Sequence, residues 1–207
     1  MDEKIVYFEQ PGKDNTEETL KLALERAKAR GIKKVILAST WGDTAKLAAE
    51  RWAGTGIKMV IVPHQYGFMF EPKQHFPEEL VAELEKKGHK VHFASMLFHS
   101  EDFLQNNAAR AIANMLRTFC QGMKVCVEIV LMSADAGLVA TGEQVVVVAG
   151  TGRGSDTAIV AVAASSNHVG DLHVTEIICK PLQTKQGFPP PPPGALGAPP
   201  APPMERR

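Results

Sequence analysis

Residues 35–45 read Val-Ile-Leu-Ala-Ser-Thr-Trp-Gly-Asp-Thr-Ala, an apolar run that leads into a polar loop with one glycine. A strand that is apolar at every position is typical of a parallel sheet covered on both faces. Residues 44–52 then have the spacing of a short helix. Upstream, Asn15 offers a helix N-cap and Gly31 a helix end. These signals predict successive strand and helix units of an α/β fold.

The same alternation continues along the chain and stops after Gly142. Three strands with no helix between them follow, and a strand joined to the previous one by a short loop is usually its antiparallel neighbour. The sequence therefore predicts a three-layer α/β sandwich, in which the C-terminal third adds antiparallel strands to a mostly parallel sheet. The predicted strands are 5–8, 35–38, 59–62, 91–96, 144–149, 158–163 and 172–178. The predicted helices are 15–31, 44–52, 77–87, 107–119 and 124–136, with a break between the last two at 121–122.

Charge and composition exclude several classes of protein. The 207 residues carry 23 basic and 23 acidic side chains, so the chain lacks the basic surface of a nucleic-acid binder. No apolar run approaches the roughly 20 residues that span a bilayer, and no secretory signal is visible. Cys120, Cys126 and Cys179 fit reduced thiols better than a disulfide framework. We therefore expect a cytoplasmic protein without nucleic-acid or membrane partners.

Proline is concentrated at the C-terminal end, where the last 20 residues hold 9 of the 14 prolines. Residues 189–193 are all proline, and the Gly/Ala/Pro stretch after them cannot form a packed element. The sequence therefore predicts an α/β domain at 1–183 and a disordered, Pro-rich tail at 184–207. Such a tail is either a solvated linker or a docking peptide for an aromatic groove.

The loop after the strand at 35–38 has the composition of an anion cradle. Parallel α/β sheets bind ligands at the carboxyl ends of their strands, and hydroxyls beside a helix N-terminus favour an anion. The alternative is that Asp43 or Thr44 only caps the helix, and one residue can do both. The candidate ligand-binding residues here are Ser39, Thr40, Gly42, Asp43 and Thr44.

The loop at 63–68 combines polar and aromatic side chains at the same predicted sheet edge. His64 could donate a hydrogen bond to a ligand, and Tyr66, Phe68 or Trp41 could stack on a flat ring. The alternative is that these aromatic side chains only cover the edge of the sheet. We take His64 and Tyr66 as candidate ligand contacts.

The segment 150–157 is rich in glycine and contains one arginine. Alternating glycines let backbone N–H groups approach an anion, and an arginine can bind phosphate with two hydrogen bonds. The segment is neither a dinucleotide fingerprint nor a Walker loop, because a strand follows it and Lys-Ser/Thr is missing. The alternative is a glycine-rich turn braced by Asp156. The candidate ligand-binding residues are Thr151, Gly152, Arg153, Gly154, Asp156 and Thr157.

Other chemistry-bearing side chains give weaker signals. Lys124 and Glu128 are four residues apart on a helix, which favours a surface or interface ion pair over an active site. His89 and His92 fall on a turn and a strand and point in different directions, so no metal site is expected. The apolar residues 125–132 could serve a homo-oligomer as easily as a core.

Several longer stretches resemble a known family. Residues 35–45 are similar to the segment of the pyruvate kinase C-terminal domain that binds a sugar phosphate in allosteric pyruvate kinases. The closer resemblance is to stand-alone prokaryotic proteins called pyruvate kinase alpha/beta domain-like, and it extends over about 5–181. It rests on residues 116–129, 135–138, 142–143, 150–158 and 176–181. The stretches 93–100 and 161–166 depart from the family pattern, and the Pro-rich tail is not part of it.

This resemblance implies a pyruvate kinase C-terminal-like fold without the barrel that performs phosphoryl transfer, and we expect no pyruvate kinase catalysis. A (β/α)₈ barrel by itself needs roughly 250 residues. Family members are associated with flavin mononucleotide (FMN), whose phosphate and flat ring suit the three loops. The leading hypothesis is a protein that binds a phosphorylated small molecule such as FMN, with catalysis left open. The competing hypothesis is a non-catalytic regulatory or interaction module with a Pro-rich docking tail.

Overall fold

The structure, a computed structural model, describes residues 2–68, 73–100 and 105–184. The Pro-rich tail that the sequence predicts at 184–207 lies outside these residues except for its first one. Within them the strands are β1 (Val6–Phe8), β2 (Lys34–Ala38), β3 (Lys58–Val62), β4 (Lys90–Val91), β5 (Gln144–Ala149), β6 (Thr157–Val162) and β7 (His173–Pro181). The helices are α1 (Thr16–Ala29), α2 (Asp43–Arg51), α3 (Glu78–Lys86), α4 (Ala108–Arg117) and α5 (Gln121–Asp135).

The strands form one mixed sheet in the order β1-β7-β6-β5-β2-β3-β4. β5, β2, β3 and β4 run parallel, whereas β6 is antiparallel to both β5 and β7. β1 pairs with β7 in parallel. The predicted fold class is therefore confirmed, because the C-terminal segment, in which β5, β6 and β7 are joined without an α-helix, supplies the antiparallel strands.

Helices cover both faces of the sheet, which gives the predicted three layers. Side chains of a strand alternate between the two faces, so Val35 and Leu37 pack in the core on the side of α1, α2 and α3. Ile36, between them, packs in the second core with α4 and α5. All three side chains are fully buried, which explains why β2 is apolar at every position.

Helix α5 is an internal helix, with 11 of its 15 residues buried. Its apolar side chains, such as Val130 and Leu131, belong to the second core. Most of residues 125–132 therefore serve the core of the domain. The homo-oligomer stays a prediction.

The strand predicted at 91–96 is wrong beyond its first residue, since β4 ends at Val91. β4 lies at the edge of the sheet and pairs with β3 alone, which ends at Val62. The His92 N–H still donates to the Ile61 carbonyl at 2.8 Å, but the Met96 N–H donates to a side chain, Gln65 Oε1, at 2.8 Å. Without a backbone partner the chain leaves the sheet.

The predicted break between the last two helices is present, but it lies at 118–120 instead of 121–122, because α4 ends at Arg117 and α5 begins at Gln121. Cys120 caps the helix by accepting the Met123 N–H on its sulfur at 3.3 Å. Gly122 marks a close approach instead: a Cβ at this position would lie 2.1 Å from the hydroxyl of Thr157. Glycine lets α5 pack directly on the start of β6.

Candidate functional site

The carboxyl ends of β2, β3 and β5 surround a cavity of about 190 Å³. These three strands are parallel neighbours, so the segments that follow them, at 39–42, 63–68 and 150–156, meet at one edge of the sheet. The N-terminal half of α5 forms the opposite wall of the cavity, through residues such as Gln121 and Val125.

The structure brings together most of the residues that the sequence predicts as ligand contacts. Those that line the cavity are Ser39, Thr40, Asp43, Thr44, His64, Gly152, Arg153 and Gly154. The other predicted residues are near it but are not among the lining residues: Gly42, Tyr66, Thr151, Asp156 and Thr157. All three loops nevertheless contribute.

The loop after β2 turns sharply at Gly42, whose φ of 87° is left-handed. A Cβ there would also lie 2.5 Å from a methyl carbon of Leu80, so the turn requires glycine on both counts. Ser39 then reaches forward, and its Oγ accepts the Ala45 N–H at 3.3 Å. A hydroxyl from before the turn thus fills the capping role that the sequence offered to Asp43 or Thr44.

Asp43 is occupied by an ion pair across the mouth of the cavity. Arg153 Nε lies 2.9 Å from Asp43 Oδ2 and Arg153 Nη2 lies 2.5 Å from the same oxygen. The two side chains are 67% and 57% exposed, so the pair adds little to folding stability. It does connect the β2 loop to the β5 loop above the cavity.

The segment 150–157, here called the glycine loop, has an inner and an outer half. The buried carboxylate of Asp156 accepts hydrogen bonds from the Gly12 N–H at 2.9 Å, the Thr151 N–H at 3.1 Å and the Thr157 hydroxyl at 2.7 Å. Asp156 therefore braces the loop, as expected if the segment is a glycine-rich turn. Arg153 and its two glycine neighbours face the cavity, as the binding hypothesis requires.

Aromatic side chains form the rim of the cavity near β3. The Phe68 ring lies edge-on between two imidazoles, with centroids 4.4 Å from His64 and 5.1 Å from His99. Trp41 is 44% exposed, and one face of its ring has a tilted contact with His75. Tyr66 contacts Phe93 outside the cavity. A flat ligand ring could therefore stack on Trp41 at the mouth.

A cluster of ionisable side chains forms the inner wall, and we call His64, His99, Lys124 and Glu128 the cavity cluster. Lys124 Nζ lies 2.5 Å from Glu128 Oε2 and 3.3 Å from His99 Nδ1. Glu128 Oε1 accepts the Phe98 N–H at 2.7 Å and lies 3.5 Å from His99 Nδ1. All four side chains line the cavity.

The prediction of a surface or interface pair for Lys124 and Glu128 is therefore wrong, since their side chains are 0% and 2% exposed. The sequence did carry one signal, because Glu128 falls within an otherwise apolar helix and a buried carboxylate needs a partner. The segment that covers both residues, around Phe98 and His99, comes 30 residues earlier in the chain and could not be placed from the sequence.

Burial and charge set the protonation of the cavity cluster. Burial, together with the nearby His99 and Lys124, lowers the pKa of His64 to about 4, so this imidazole is neutral near pH 7. Burial alone would raise the pKa of Glu128, but hydrogen bonds from His99, Lys124 and the Phe98 N–H, with the charge of Lys124, hold it below its usual value. The cluster thus contains a carboxylate and a neutral imidazole.

Comparison with known proteins supplies the family. The family model described as "Pyruvate kinase, alpha/beta domain" matches residues 17–163, which is more than two thirds of the chain. The chain belongs to this family. The match covers β2, β3 and β5 and the loops at their carboxyl ends, together with all of α5, so the whole cavity lies within the family domain.

Solved structures of pyruvate kinases are also similar to this member of the family. A pyruvate kinase from Cryptosporidium parvum matches at 16% identity with a TM-score of 0.39, over 72% of this chain and 23% of that one. A Cryptosporidium parvum pyruvate kinase in complex with ADP matches at 17% identity with a TM-score of 0.36, over 70% and 22%. The chain thus spans less than a quarter of the pyruvate kinases it matches.

The described part of the chain has neither a cluster suited to a metal ion nor a helix suited to a membrane. Among residues 2–68, 73–100 and 105–184, no group of three or more His, Cys, Asp or Glu side chains is placed to hold a metal ion. In the same part of the chain, no helix has both the length and the apolar character that crossing a membrane requires.

Proposed function

We propose that this chain binds a phosphorylated small molecule in the cavity at the carboxyl ends of β2, β3 and β5. The observation that carries this proposal is the convergence of Thr40 and Thr44 from one loop with Gly152, Arg153 and Gly154 from another on a single cavity. Hydroxyls, backbone N–H groups of glycine and a guanidinium are the donors that proteins use for phosphate.

FMN fits this arrangement in part. Its phosphate suits the donors of the two loops, and its ring could stack on the exposed face of Trp41. The enclosed volume of about 190 Å³ is below the roughly 300–1,000 Å³ of sites that enclose a drug-sized ligand. FMN would therefore bind with its phosphate inside and its ring at the mouth, where it would supply redox chemistry if it is the ligand.

The Asp43–Arg153 ion pair has a consequence for any phosphate ligand. A phosphate that binds Arg153 must compete with the Asp43 carboxylate, which lies 2.5 Å from Nη2, and Asp43 also repels it. We therefore expect Arg153→Ala to weaken binding about 10-fold and Asp43→Asn to strengthen it several-fold.

Titration of the full chain with FMN and with inorganic phosphate, followed by calorimetry and by the visible flavin spectrum, tests the proposal. Arg51→Ala is the matched control, since Arg51 also has an exposed ion pair, with Glu17 at 2.6 Å, but lies at the other end of α2. If neither compound binds, or if Arg51→Ala weakens binding as much as Arg153→Ala, the proposal fails.

The competing hypothesis of a regulatory module depends on the Pro-rich tail. Residues 185–207 lie outside the described part of the chain, so no observation favours this hypothesis over ligand binding in the cavity. We also propose a cytoplasmic location, because Cys120, Cys126 and Cys179 are all buried free thiols. A homo-oligomer remains a prediction that light scattering would test.

A further inference from the structure

The cavity cluster has more polar chemistry than binding a phosphate needs. It lies against the α5 wall, whereas the phosphate donors come from the β2 and β5 loops. Besides His64, its members are a lysine and a glutamate that are almost completely buried and a second histidine, His99, whose side chain is 27% exposed. Burying charge is costly, and Val125, Ile129 and Met132 make the rest of this wall apolar.

We propose that His99, held by Lys124 and Glu128, transfers a proton at the carbon next to the carbonyl group of a small phosphorylated ketone or aldehyde bound in this cavity. This inference rests on the proposed function, because the phosphate of the substrate would occupy the donors of the two loops. It adds a reaction and a substrate class to that site.

The position of His99 Nδ1 supports a role in both directions of proton transfer. It lies 3.3 Å from a donor, Lys124 Nζ, and 3.5 Å from an acceptor, Glu128 Oε1. When Nδ1–H faces Glu128, Nε2 carries the lone pair and is a base. Once Nε2 has taken a proton the ring is an imidazolium, and this is the acid that returns the proton while the Glu128 carboxylate faces its positive charge.

His64 adds a neutral donor to the same wall. Its Nδ1 is buried and has no hydrogen-bond partner among the residues that the structure describes. Buried polar atoms are rarely left unsatisfied, and of the described residues with such an atom His64 is the one that lines the cavity, so its Nδ1 is placed to bond a ligand group. A neutral imidazole N–H can hydrogen-bond a carbonyl oxygen on which negative charge develops.

The size of the cavity selects the substrate class. A volume of about 190 Å³ is below that of sites for drug-sized ligands, so a short carbon chain with one phosphate fits better than a nucleotide. A carbonyl oxygen near His64 and Lys124 would place the neighbouring carbon beside His99.

The step is balanced without any further reactant. His99 Nε2 takes a proton from the carbon next to the carbonyl, and the electron pair of that C–H bond becomes the C=C bond of an enolate. The carbonyl π electrons move to oxygen, which is stabilised by the His64 N–H and the positive charge of Lys124. The imidazolium exchanges its proton with solvent water and returns a proton to the same carbon as the carbonyl group re-forms, so the net result is hydrogen exchange.

The test measures exchange of the carbon-bound protons of dihydroxyacetone phosphate in D₂O by NMR, with the full chain. The wild-type protein should accelerate exchange, and inorganic phosphate should inhibit it because both compounds need the same loops. His99→Gln should reduce the rate about 100-fold, the scale of general acid–base catalysis. His168→Gln is the matched control, since His168 is exposed, contacts Ser165 three residues before it, and does not line the cavity.

Glu128→Gln tests the positioning role separately. It should lower kcat with little change in KM and alter the pH profile of exchange, because the neutral amide no longer favours the Nδ1–H tautomer. Loss of exchange in His99→Gln but not in His168→Gln also excludes a contaminating enzyme as its source.

The experiments distinguish a failure of this inference from a failure of the proposed function. Binding of dihydroxyacetone phosphate without exchange, or equal exchange by wild type and a folded His99→Gln, overturns this inference and leaves the proposed function intact. If His99→Gln does not fold, wild-type exchange that inorganic phosphate fails to inhibit overturns it instead. If neither dihydroxyacetone phosphate nor inorganic phosphate binds, this inference falls, and if FMN does not bind either, the proposed function falls with it.

Discussion

The glycine loop and the cavity cluster both contain buried charge, but they satisfy it differently. In the glycine loop, both oxygens of Asp156 accept hydrogen bonds from the surrounding chain, among them the N–H of Gly12. In the cavity cluster, Glu128 also accepts the Phe98 N–H, but Lys124 and Glu128 pair with each other and with His99 beside the cavity, and His64 Nδ1 has no partner in the described part of the chain. Burial therefore indicates bracing in one region and chemistry in the other.

The largest effect should come from breaking the brace. Asp156→Ala removes an acceptor from the N–H groups of Gly12 and Thr151 and from the hydroxyl of Thr157, all buried. Each hydrogen bond to a charged group contributes about 1.5–3 kcal/mol. We expect the free energy of unfolding to fall by about 3–5 kcal/mol, measured by urea denaturation.

The cavity cluster provides the control for this loss of stability. His99→Gln should change the free energy of unfolding by less than about 1.5 kcal/mol, because its side chain is 27% exposed. Equal losses in the two variants would contradict the distinction between a bracing region and a chemical one.

A second substitution, with a smaller expected loss of stability, tests how closely α5 packs on the glycine loop. In Gly122→Ala the new methyl group would meet the Thr157 side chain at 2.1 Å, so α5 or the loop must shift. Overpacking of this kind costs about 2–3 kcal/mol, again measured by urea denaturation. Gly170→Ala is the control, since no heavy atom lies within 4 Å of a Cβ there, and a similar loss in it would refute the explanation.

The smallest effect concerns pH and the cavity cluster. Because the pKa of His64 is lowered from 6.5 to about 4, the unfolded chain binds a proton between these pH values that the folded chain does not. Stability is therefore complete above pH 6.5 and decreases as the pH falls to 4, by about 2 kcal/mol from this group. Burial also lowers the pKa values of His89 and His92, which adds to the decrease.

Substitution of His64 separates its contribution to the pH dependence of stability from the contributions of the other histidines. His64→Gln should flatten the dependence of the urea midpoint on pH between 6.5 and 4, whereas His168→Gln should leave it unchanged. A profile for His64→Gln that matches the wild type would show that this imidazole is not held neutral.

Much of the fold could be predicted because local signals agree with the tertiary environment. β2 is apolar at every position and is buried on both faces, and the three strands after Gly142 lack helices and are antiparallel. The extent of β4 could not be predicted, because apolar residues such as Phe93 continue past Val91, although β3, its neighbour in the described sheet, ends at Val62. Local propensity does not report where a partner strand stops.

In the candidate site, too, local signals identify some residues, whereas others depend on contacts with distant parts of the chain. The loops at 39–44 and 150–154 were predicted as binding segments because each follows a buried strand, and the sheet brings them to one cavity. The burial of Lys124 was missed, because spacing on a helix identifies a neighbour four residues away but not which element covers it. Asp156 was ambiguous for a related reason: its partner Gly12 is distant in the sequence.

The pairing of β1 with β7 has a consequence for how the chain folds. Val6 is next to Cys179 in the sheet, and the Leu182 N–H donates to the carbonyl of Phe8 at 2.8 Å. The first strand thus finds its partner only after nearly the whole domain has been synthesised, and closing so long a loop is entropically unfavourable until the rest of the sheet exists. We expect the core around β2 and β3 to assemble first and the β1 edge to close last, in a domain whose many non-local contacts make folding slow.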